Sequence, residues 1–208
     1  MQKTLNILMT TMQMGFGGAE THIYELALAL QKNGHTVTIA SAGGKYAEML
    51  EAHGVRHVTL PLASKDPCSV LRAYRGLEKL LRKEHFDLVH AHARIPAFVC
   101  GLLQKRLHFH FVTTAHWVFK VTPLWKKLAN WGDLQMAVSE DIKQYLIDNY
   151  GQFADNIFVT VNGINTEVFS PAADPAPIVR ELGLSDTRHR IVSVSRMDES
   201  RGKAQLCL

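Results

Sequence analysis

Short apolar segments of β-strand composition alternate with segments that carry helix signals from Leu5 to Val161 of this 208-residue chain. Seven strands are predicted, at Leu5–Thr10, His35–Ser41, Val55–Leu60, Phe86–His92, Phe109–Ala115, Leu134–Ser139 and Asn156–Val161. Helices are predicted between them, at Thr21–Gln31, Lys45–His53, Pro67–His85, Pro96–Arg106, Pro123–Trp131 and Glu140–Tyr150. Strands interleaved with helices predict an α/β fold with a doubly wound, mostly parallel sheet covered on both faces.

A glycine-rich break, Gly15-Phe16-Gly17-Gly18, separates the first strand from the first helix. Such a break can turn sharply and present bare N–H groups beside the positive end of a helix, which suits a phosphate or another anion. The alternative is a tight turn whose glycines only permit positive φ. A dinucleotide fingerprint is excluded, because Glu20 occupies the third glycine position and no carboxylate ends the second strand. The Gly-Lys-Ser/Thr pattern of P-loop proteins is absent from the sequence.

Composition adds few constraints on function. The formal net charge of +4 indicates no particular partner. The cysteines Cys68, Cys100 and Cys207 lack metal or disulfide spacing, which favours a reducing compartment. No run approaches the roughly 18 apolar residues of a membrane span, and the apolar N-terminal stretch is interpreted as the first strand rather than a signal peptide. A cytoplasmic protein is therefore expected.

A proline-rich segment, Ser170–Pro177, is the strongest domain-boundary signal in the sequence. It predicts a first domain at residues 1–170, a linker with a short helix (Val179–Leu184) at residues 171–186, and the opening of an incomplete second domain at residues 187–208. A strand at Ile191–Ser195 followed by a basic loop is predicted in that last part, which is too short to bury a core of its own.

The carboxyl ends of the strands are where ligands of open parallel sheets bind. They are followed by the glycine loop, His90 and His92, Thr113–His116, Ser139-Glu140 and Asn162-Gly163, which are expected to cluster at one edge. His90 and His92 lie two apart on one strand and share a face, as do His108 and His110. No third ligand lies near either pair in the sequence, so no metal site is predicted. His90 and His92 are interpreted as structural or acceptor-contacting residues.

Six short motifs, in this order and spacing, resemble those of the retaining glycosyltransferases of family 4. They are Gly17-Gly-Ala-Glu-Thr21, Phe86-Asp-Leu-Val-His-Ala-His92, Thr113-Thr-Ala-His116, Ala137-Val-Ser-Glu140, Val161-Asn-Gly-Ile-Asn165 ahead of Phe169, and Val194-Ser-Arg-Met-Asp198. The resemblance implies a B-type fold of two Rossmann-like domains, of which this chain holds the acceptor-side one. It also implies metal-free transfer of a sugar from a nucleotide-sugar donor with retention of configuration, in accord with the absence of an Asp-x-Asp triplet.

The resemblance also implies roles for individual residues. Gly17 and Gly18 would lie near the donor diphosphate and the acceptor. Apart from the resemblance, acceptor contact is also predicted for Gly15, His90, His92 and Trp117, which lie at the expected edge of the sheet. His116 matches the histidine near the reacting sugar, and is the expected catalytic residue. Arg196 matches the arginine that clamps the diphosphate. The family's Lys-Gly pair five residues later is Arg201-Gly202 here, with Lys203 next, so Arg201 or Lys203 would supply that cation, with different geometry.

The family's carboxylate pair that holds the donor lies in the second domain, beyond the last residue of this sequence. The chain by itself is therefore expected not to turn over. Two alternatives stay open: a non-catalytic binding domain or truncated product, and a nucleotide-sugar epimerase of the same architecture.

The interval between Asp87 and Asp133 contains no acidic residue, six Lys or Arg residues and interleaved aromatics. Such a surface suits an anionic or lipid-linked acceptor, for example a precursor of a cell-surface glycan, or an anionic membrane at its inner face. The phenylalanines are expected to belong mostly to the core. Peripheral membrane contact is predicted for Trp117, Phe119, Trp125, Lys126 and Lys127. Nucleic acid is not an expected partner, because no basic stripe or binding motif is present.

Overall fold

The computed structural model describes residues 3–167, 169–172 and 174–184. The chain divides into two units, Met1–Asn165 and Thr166–Leu208. The division falls five residues before the predicted boundary at residue 170. That the tail opens a second domain stays a prediction, because the strand expected at Ile191–Ser195 lies outside the described residues.

The first unit contains seven strands, which are β1 (Asn6–Thr10), β2 (Thr36–Ser41), β3 (Arg56–Thr59), β4 (Leu88–Ala91), β5 (Phe111–Ala115), β6 (Leu134–Ala137) and β7 (Ile157–Val159). They form one sheet in the order β3-β2-β1-β4-β5-β6-β7. Every pairing is parallel. The predicted α/β fold with a doubly wound parallel sheet is therefore confirmed, and the strand order reverses between β1 and β4.

Six α-helices connect these strands: α1 (Gly18–Lys32), α2 (Lys45–Ala52), α3 (Pro67–Lys83), α4 (Arg94–Leu107), α5 (Pro123–Leu128) and α6 (Glu140–Tyr150). A 3-10 turn at Ala154–Asn156 precedes β7. In the second unit, the described residues contain one helix, α7 (Ala176–Glu181). This helix begins three residues before the position predicted for it.

The predicted starts of α3 and α6 are confirmed by their caps. The Asp66 carboxylate accepts a hydrogen bond from the Ser69 N–H at 2.9 Å, and Pro67 follows as the first helical residue. The Ser139 hydroxyl accepts from the Ile142 N–H at 3.3 Å. These side chains satisfy donors that a helix start leaves without an intrahelical acceptor.

Two helices begin earlier than predicted. The first, α1, starts at Gly18 rather than Thr21, because Gly17 is extended (φ −179°) and serves as its N-cap. The fourth, α4, starts at Arg94 rather than Pro96. A proline in the first turn costs no hydrogen bond, because the first four N–H groups of a helix have no partner within it.

Both faces of the sheet are packed. Along β1, Leu8 points into a core built with α3 and α4, whereas Ile7 and Met9 point into a second core with α1 and α2. This alternation is the period of a strand. A third, smaller core joins α6 to the β5–β7 end of the sheet. As expected, Phe111 belongs to the first core, and the partly buried Phe98 and Phe109 pack against it.

Candidate functional site

The glycine loop lies where β1 passes into α1, beside the point at which the strand order reverses. Gly15, Gly17 and Gly18 do not have the positive φ that would require glycine. A Cβ on Gly18 would meet nothing within 4 Å, and one on Gly15 would meet only the Gln13 amide at 4.0 Å. A Cβ on Gly17 would meet only the carboxylate end of the Glu20 side chain, which can turn away. Neither backbone conformation nor internal packing therefore explains these glycines, which contradicts the tight-turn alternative.

The loop is supported by the next glycine pair in the chain. The Met14 N–H donates to the Gly43 carbonyl at 2.9 Å, and the Tyr46 N–H donates to the Met14 carbonyl at 2.8 Å. Gly44 has φ +135°, and a Cβ there would lie 2.5–2.7 Å from Met14 and Gly15 backbone atoms. Glycine is required at this position, which the sequence analysis did not identify as part of the site.

Four histidines gather at the same edge of the sheet. His92 and His116 are the first residues after β4 and β5, His90 lies inside β4, and His22 occupies the second turn of α1. The His92 N–H donates to the Thr10 carbonyl at 2.9 Å, which fixes the end of β4 against the end of β1. The ring of His116 lies 5.1 Å from the ring of His22, which is four residues after Gly18 on α1. His116 therefore lies at the same edge of the sheet as the glycine loop.

The histidine cluster (His22, His90, His92 and His116) is closely packed. The ring centroids of His90 and His92 are 4.0 Å apart, and those of His92 and His116 are 5.5 Å apart. His92 Nδ1 and His116 Nε2 approach to 3.2 Å. The opposite nitrogens of these two rings, His92 Nε2 and His116 Nδ1, are buried without a hydrogen-bond partner among the described residues.

The rings are neutral near pH 7. Burial, followed by the charge of His22, lowers the pKa of His116 to about 4. Burial, followed by the charges of His22 and His116, lowers the pKa of His90 to about 3. Burial also lowers the pKa of His22, and it holds the pKa of His92 well below the usual range. A neutral imidazole carries one N–H donor and one lone pair, so the cluster can recognise hydroxyl groups or hold a metal ion.

His90 and His92 differ in what they offer. His90 is only 3% exposed, and its Nε2 lies 2.7 Å from the Thr114 hydroxyl. Its geometry favours the structural of the two roles predicted for it. His92 instead has the unpartnered Nε2. His22 was not predicted, although its position one turn after Gly18 on the same helix is a signal that the sequence carries.

Trp117 directly follows His116 and is 68% exposed. It opens the basic–aromatic segment, which we define as residues 117–127. Arg94 anchors this segment, because its guanidinium carbon lies 4.0 Å from the Phe119 ring centroid and 4.8 Å from that of Trp125. The Tyr145 hydroxyl adds a hydrogen bond to the Phe119 carbonyl at 2.7 Å. Lys126 and Lys127 are exposed.

The other residues predicted for the site lie outside the histidine cluster. Arg196, Arg201 and Lys203, expected to bind the donor diphosphate, lie outside the described residues. Asn162 and Gly163, expected at the edge of the sheet, are exposed and follow β7. Among the described residues, no helix is both long enough and apolar enough to span a membrane.

Known proteins resemble this chain in sequence and in fold. A curated relative, the D-inositol 3-phosphate glycosyltransferase of Streptosporangium roseum, is 26% identical over 87% of the chain and 48% of its own length. A glycosyltransferase from Rickettsia africae superposes with a TM-score of 0.78 at 27% identity, over 89% of this chain and 51% of that one. Anabaena Alr3699/HepE in complex with UDP-glucose shares the fold, with a TM-score of 0.68 at 18% identity over 86% and 50%.

The chain thus spans about half the length of these relatives. The family model of Glycosyltransferase Family 4 matches residues 16–168, which include the glycine loop from Phe16 onward and all four clustered histidines. Since that match covers most of the sequence, the chain belongs to glycosyltransferase family 4.

Proposed function

We propose that this chain is the acceptor-side domain of a retaining glycosyltransferase of the hexosyltransferase type. It would take part in moving a sugar from a nucleotide-sugar to a hydroxyl of an acceptor. The observation that carries the proposal is the glycine loop, which has no conformational or packing reason for its glycines and yet leads directly to the histidine cluster. Family membership supplies the reaction class.

The role proposed for His116 follows from its charge state. The pKa of His116 is about 4, so its ring is neutral at pH 7. That pKa lies about three pH units below the value near 7 that suits a general base. Its buried Nδ1 has no partner among the described residues. A neutral ring with an unpaired nitrogen can hydrogen-bond an acceptor hydroxyl and orient it toward the donor sugar. His116 is therefore proposed to hold the acceptor in place next to the reacting carbon.

The donor diphosphate is proposed to lie at the start of α1. The first N–H groups of a helix have no intrahelical acceptor and carry partial positive charge. Gly17 and Gly18 lack side chains that would keep a phosphate away from them. Arg196, with Arg201 or Lys203, is proposed to offset the remaining charge. No metal ion is expected on the diphosphate. Turnover is expected to need a second, donor-binding domain, and the relatives are long enough to contain one.

The acceptor proposed is a cell-surface glycan or a lipid-linked precursor. The basic–aromatic segment supports this, because Trp117 and Leu124 are 68% and 63% exposed beside Lys126 and Lys127. Exposed aromatic and aliphatic groups flanked by lysines suit the interface of an anionic membrane. We propose that the protein is cytoplasmic and contacts the inner face of the membrane through this segment.

Two substitutions test the proposal in the full-length protein. Gly18→Ala should leave thermal stability unchanged or slightly raised, because the site is helical and open. It should lower sugar transfer by at least about tenfold, since a loss of about 1.4 kcal/mol of binding at the phosphate corresponds to that factor. His116→Ala should lower kcat much more than it weakens donor binding.

The assay uses UDP-glucose as the first donor, because Alr3699/HepE was solved with it. Acceptors tested should include inositol phosphates, after the Streptosporangium relative, and lipid-linked glycans. His110→Ala, at an exposed histidine, is the matched control. Normal transfer by both variants would refute the site, and an inverted anomeric configuration in the product would refute retention.

The two alternatives have separate signatures. Binding of an acceptor without transfer in any full-length form would favour a non-catalytic binding domain. Conversion of the nucleotide-sugar itself, with no acceptor required, would identify an epimerase. Product analysis by NMR separates both from glycosyl transfer.

A further inference from the structure

His22, His92 and His116 come from three different elements and meet at one point. One ring nitrogen from each lies within 4.8 Å of the other two. We propose that these three histidines bind a single Zn²⁺ ion, and that the ion inhibits the protein by leaving His116 unable to accept a hydrogen bond from the acceptor hydroxyl. The inhibitory part rests on the function proposed above for His116; the binding part does not.

The distance between two of the nitrogens already fits a metal. Zinc binds histidine nitrogens at about 2.0–2.1 Å in tetrahedral geometry, so two ligands of one ion stand roughly 3.3–3.4 Å apart. His92 Nδ1 and His116 Nε2 are 3.2 Å apart. Shifting the ring of His22 by roughly 1–1.5 Å would complete a three-histidine set. That ring is half-buried on the surface of α1, where a rotamer change can supply the movement.

The charge state of the rings also fits a metal. Zinc requires neutral imidazoles, and burial lowers the pKa of all three, so no proton has to be displaced at pH 7. A bound zinc ion would also fix the tautomers of His92 and His116, whose Nδ1 and Nε2 atoms make the 3.2 Å contact. In the absence of an ion, only one of those two nitrogens can carry the proton.

Inhibition follows from the tautomer that the ion imposes on His116. An ion bound through Nε2 leaves the proton of the neutral ring on Nδ1, the nitrogen proposed to contact the acceptor. Nδ1 could then donate a hydrogen bond but no longer accept one from the attacking hydroxyl. This differs from metal-dependent transfer, in which the ion binds the donor diphosphate and activates the reaction.

Binding is tested first, on the 208-residue chain and without any activity assay. Zn²⁺ is titrated by calorimetry, and Co²⁺ is followed by the visible absorption that distinguishes tetrahedral from octahedral coordination. One equivalent should bind, with a tetrahedral Co²⁺ spectrum. His22→Ala should weaken binding by at least about tenfold, because three ligands become two. His110→Gln, at an exposed histidine outside the cluster, should bind like the wild type.

Equal binding by the wild type and His22→Ala would overturn the site, as would loss of binding in His110→Gln. Circular dichroism of His22→Ala excludes misfolding as the cause of a loss. In the full-length protein, Zn²⁺ should then inhibit transfer, and EDTA should reverse the inhibition. Stoichiometric binding without inhibition would overturn the inhibitory role and count against the placement of His116. Absence of binding, with transfer still dependent on His116, would overturn the zinc site alone.

Discussion

Replacing Gly44 with alanine tests whether the glycine loop depends on its support. Gly44 has φ +135° and ψ 175°, a region that residues with a side chain rarely occupy, at a cost of about 1–3 kcal/mol. The added Cβ would also lie 2.5 Å from the Met14 carbonyl carbon and 2.7 Å from the Gly15 nitrogen. Backbone atoms cannot swing aside as a side-chain end can, so overpacking adds about 1–3 kcal/mol. We expect Gly44→Ala to destabilise the first unit by about 2–6 kcal/mol.

Gly43→Ala is the matched control. Gly43 also has positive φ, +90°, but a Cβ there would meet nothing within 4 Å. Gly43→Ala should therefore lower the free energy of unfolding only by the cost of holding alanine at positive φ, about 1–2 kcal/mol. Each kcal/mol shifts the melting temperature of a chain of this size by about 2–4 °C. Thermal and urea unfolding of the two variants therefore measure the contact with Met14 separately from the conformational cost. Equal melting temperatures would refute the claim that the loop is held by close approach to Gly44.

Two further predictions concern acid stability and membrane contact. The carboxylate of Asp87 accepts a hydrogen bond from the β1 backbone at 2.8 Å, and this lowers its pKa. The ionised carboxylate stabilises the fold at pH values above the pKa of an unfolded aspartate, and this stabilisation is lost as pH falls through the lower pKa of the folded state. Asp87→Asn should therefore flatten the acid side of a curve of stability against pH. An unchanged acid slope would contradict the assignment. Lys126→Glu with Lys127→Glu should reduce sedimentation with anionic vesicles at low salt, whereas Lys79→Glu with Lys83→Glu on α3 should not. Equal losses in both pairs would indicate only a general charge effect.

The fold could be predicted from the sequence because local signals agreed with the tertiary structure. The centre of β1, Ile7–Met9, is apolar at successive positions, as expected of a strand buried on both faces. Asp66-Pro67 marks a helix start, which is confirmed by the hydrogen bond from the Ser69 N–H to Asp66. Boundaries were less accurate where geometry rather than composition decides them. Gly18 carries no helix signal in the sequence. It is nevertheless the first residue of α1, because Gly17 is extended and serves as the N-cap.

The site was predictable only in the parts that lie at strand ends. His92 and His116 follow β4 and β5, so a parallel sheet must bring them to one edge. His22 lies on a helix, where the rotation about the axis decides which way a side chain faces; sequence spacing alone could not place its ring 5.1 Å from that of His116. The importance of Gly44 was hidden for a related reason, because it depends on a contact with Met14, thirty residues earlier in the chain.

The electrostatics of the cluster agree with the proposal that it binds the acceptor rather than the whole donor. Its four rings are neutral at pH 7, because burial opposes protonation of each. Neutral imidazoles discriminate hydroxyl groups by hydrogen bonding but do little to offset the charge that builds on a departing diphosphate. Guanidinium or ammonium groups are suited to that task, and the cations predicted for it, Arg196 with Arg201 or Lys203, belong to the other unit. Under the proposed function, the histidine cluster therefore orients the attacking hydroxyl, and the charge of the leaving group is offset by other groups.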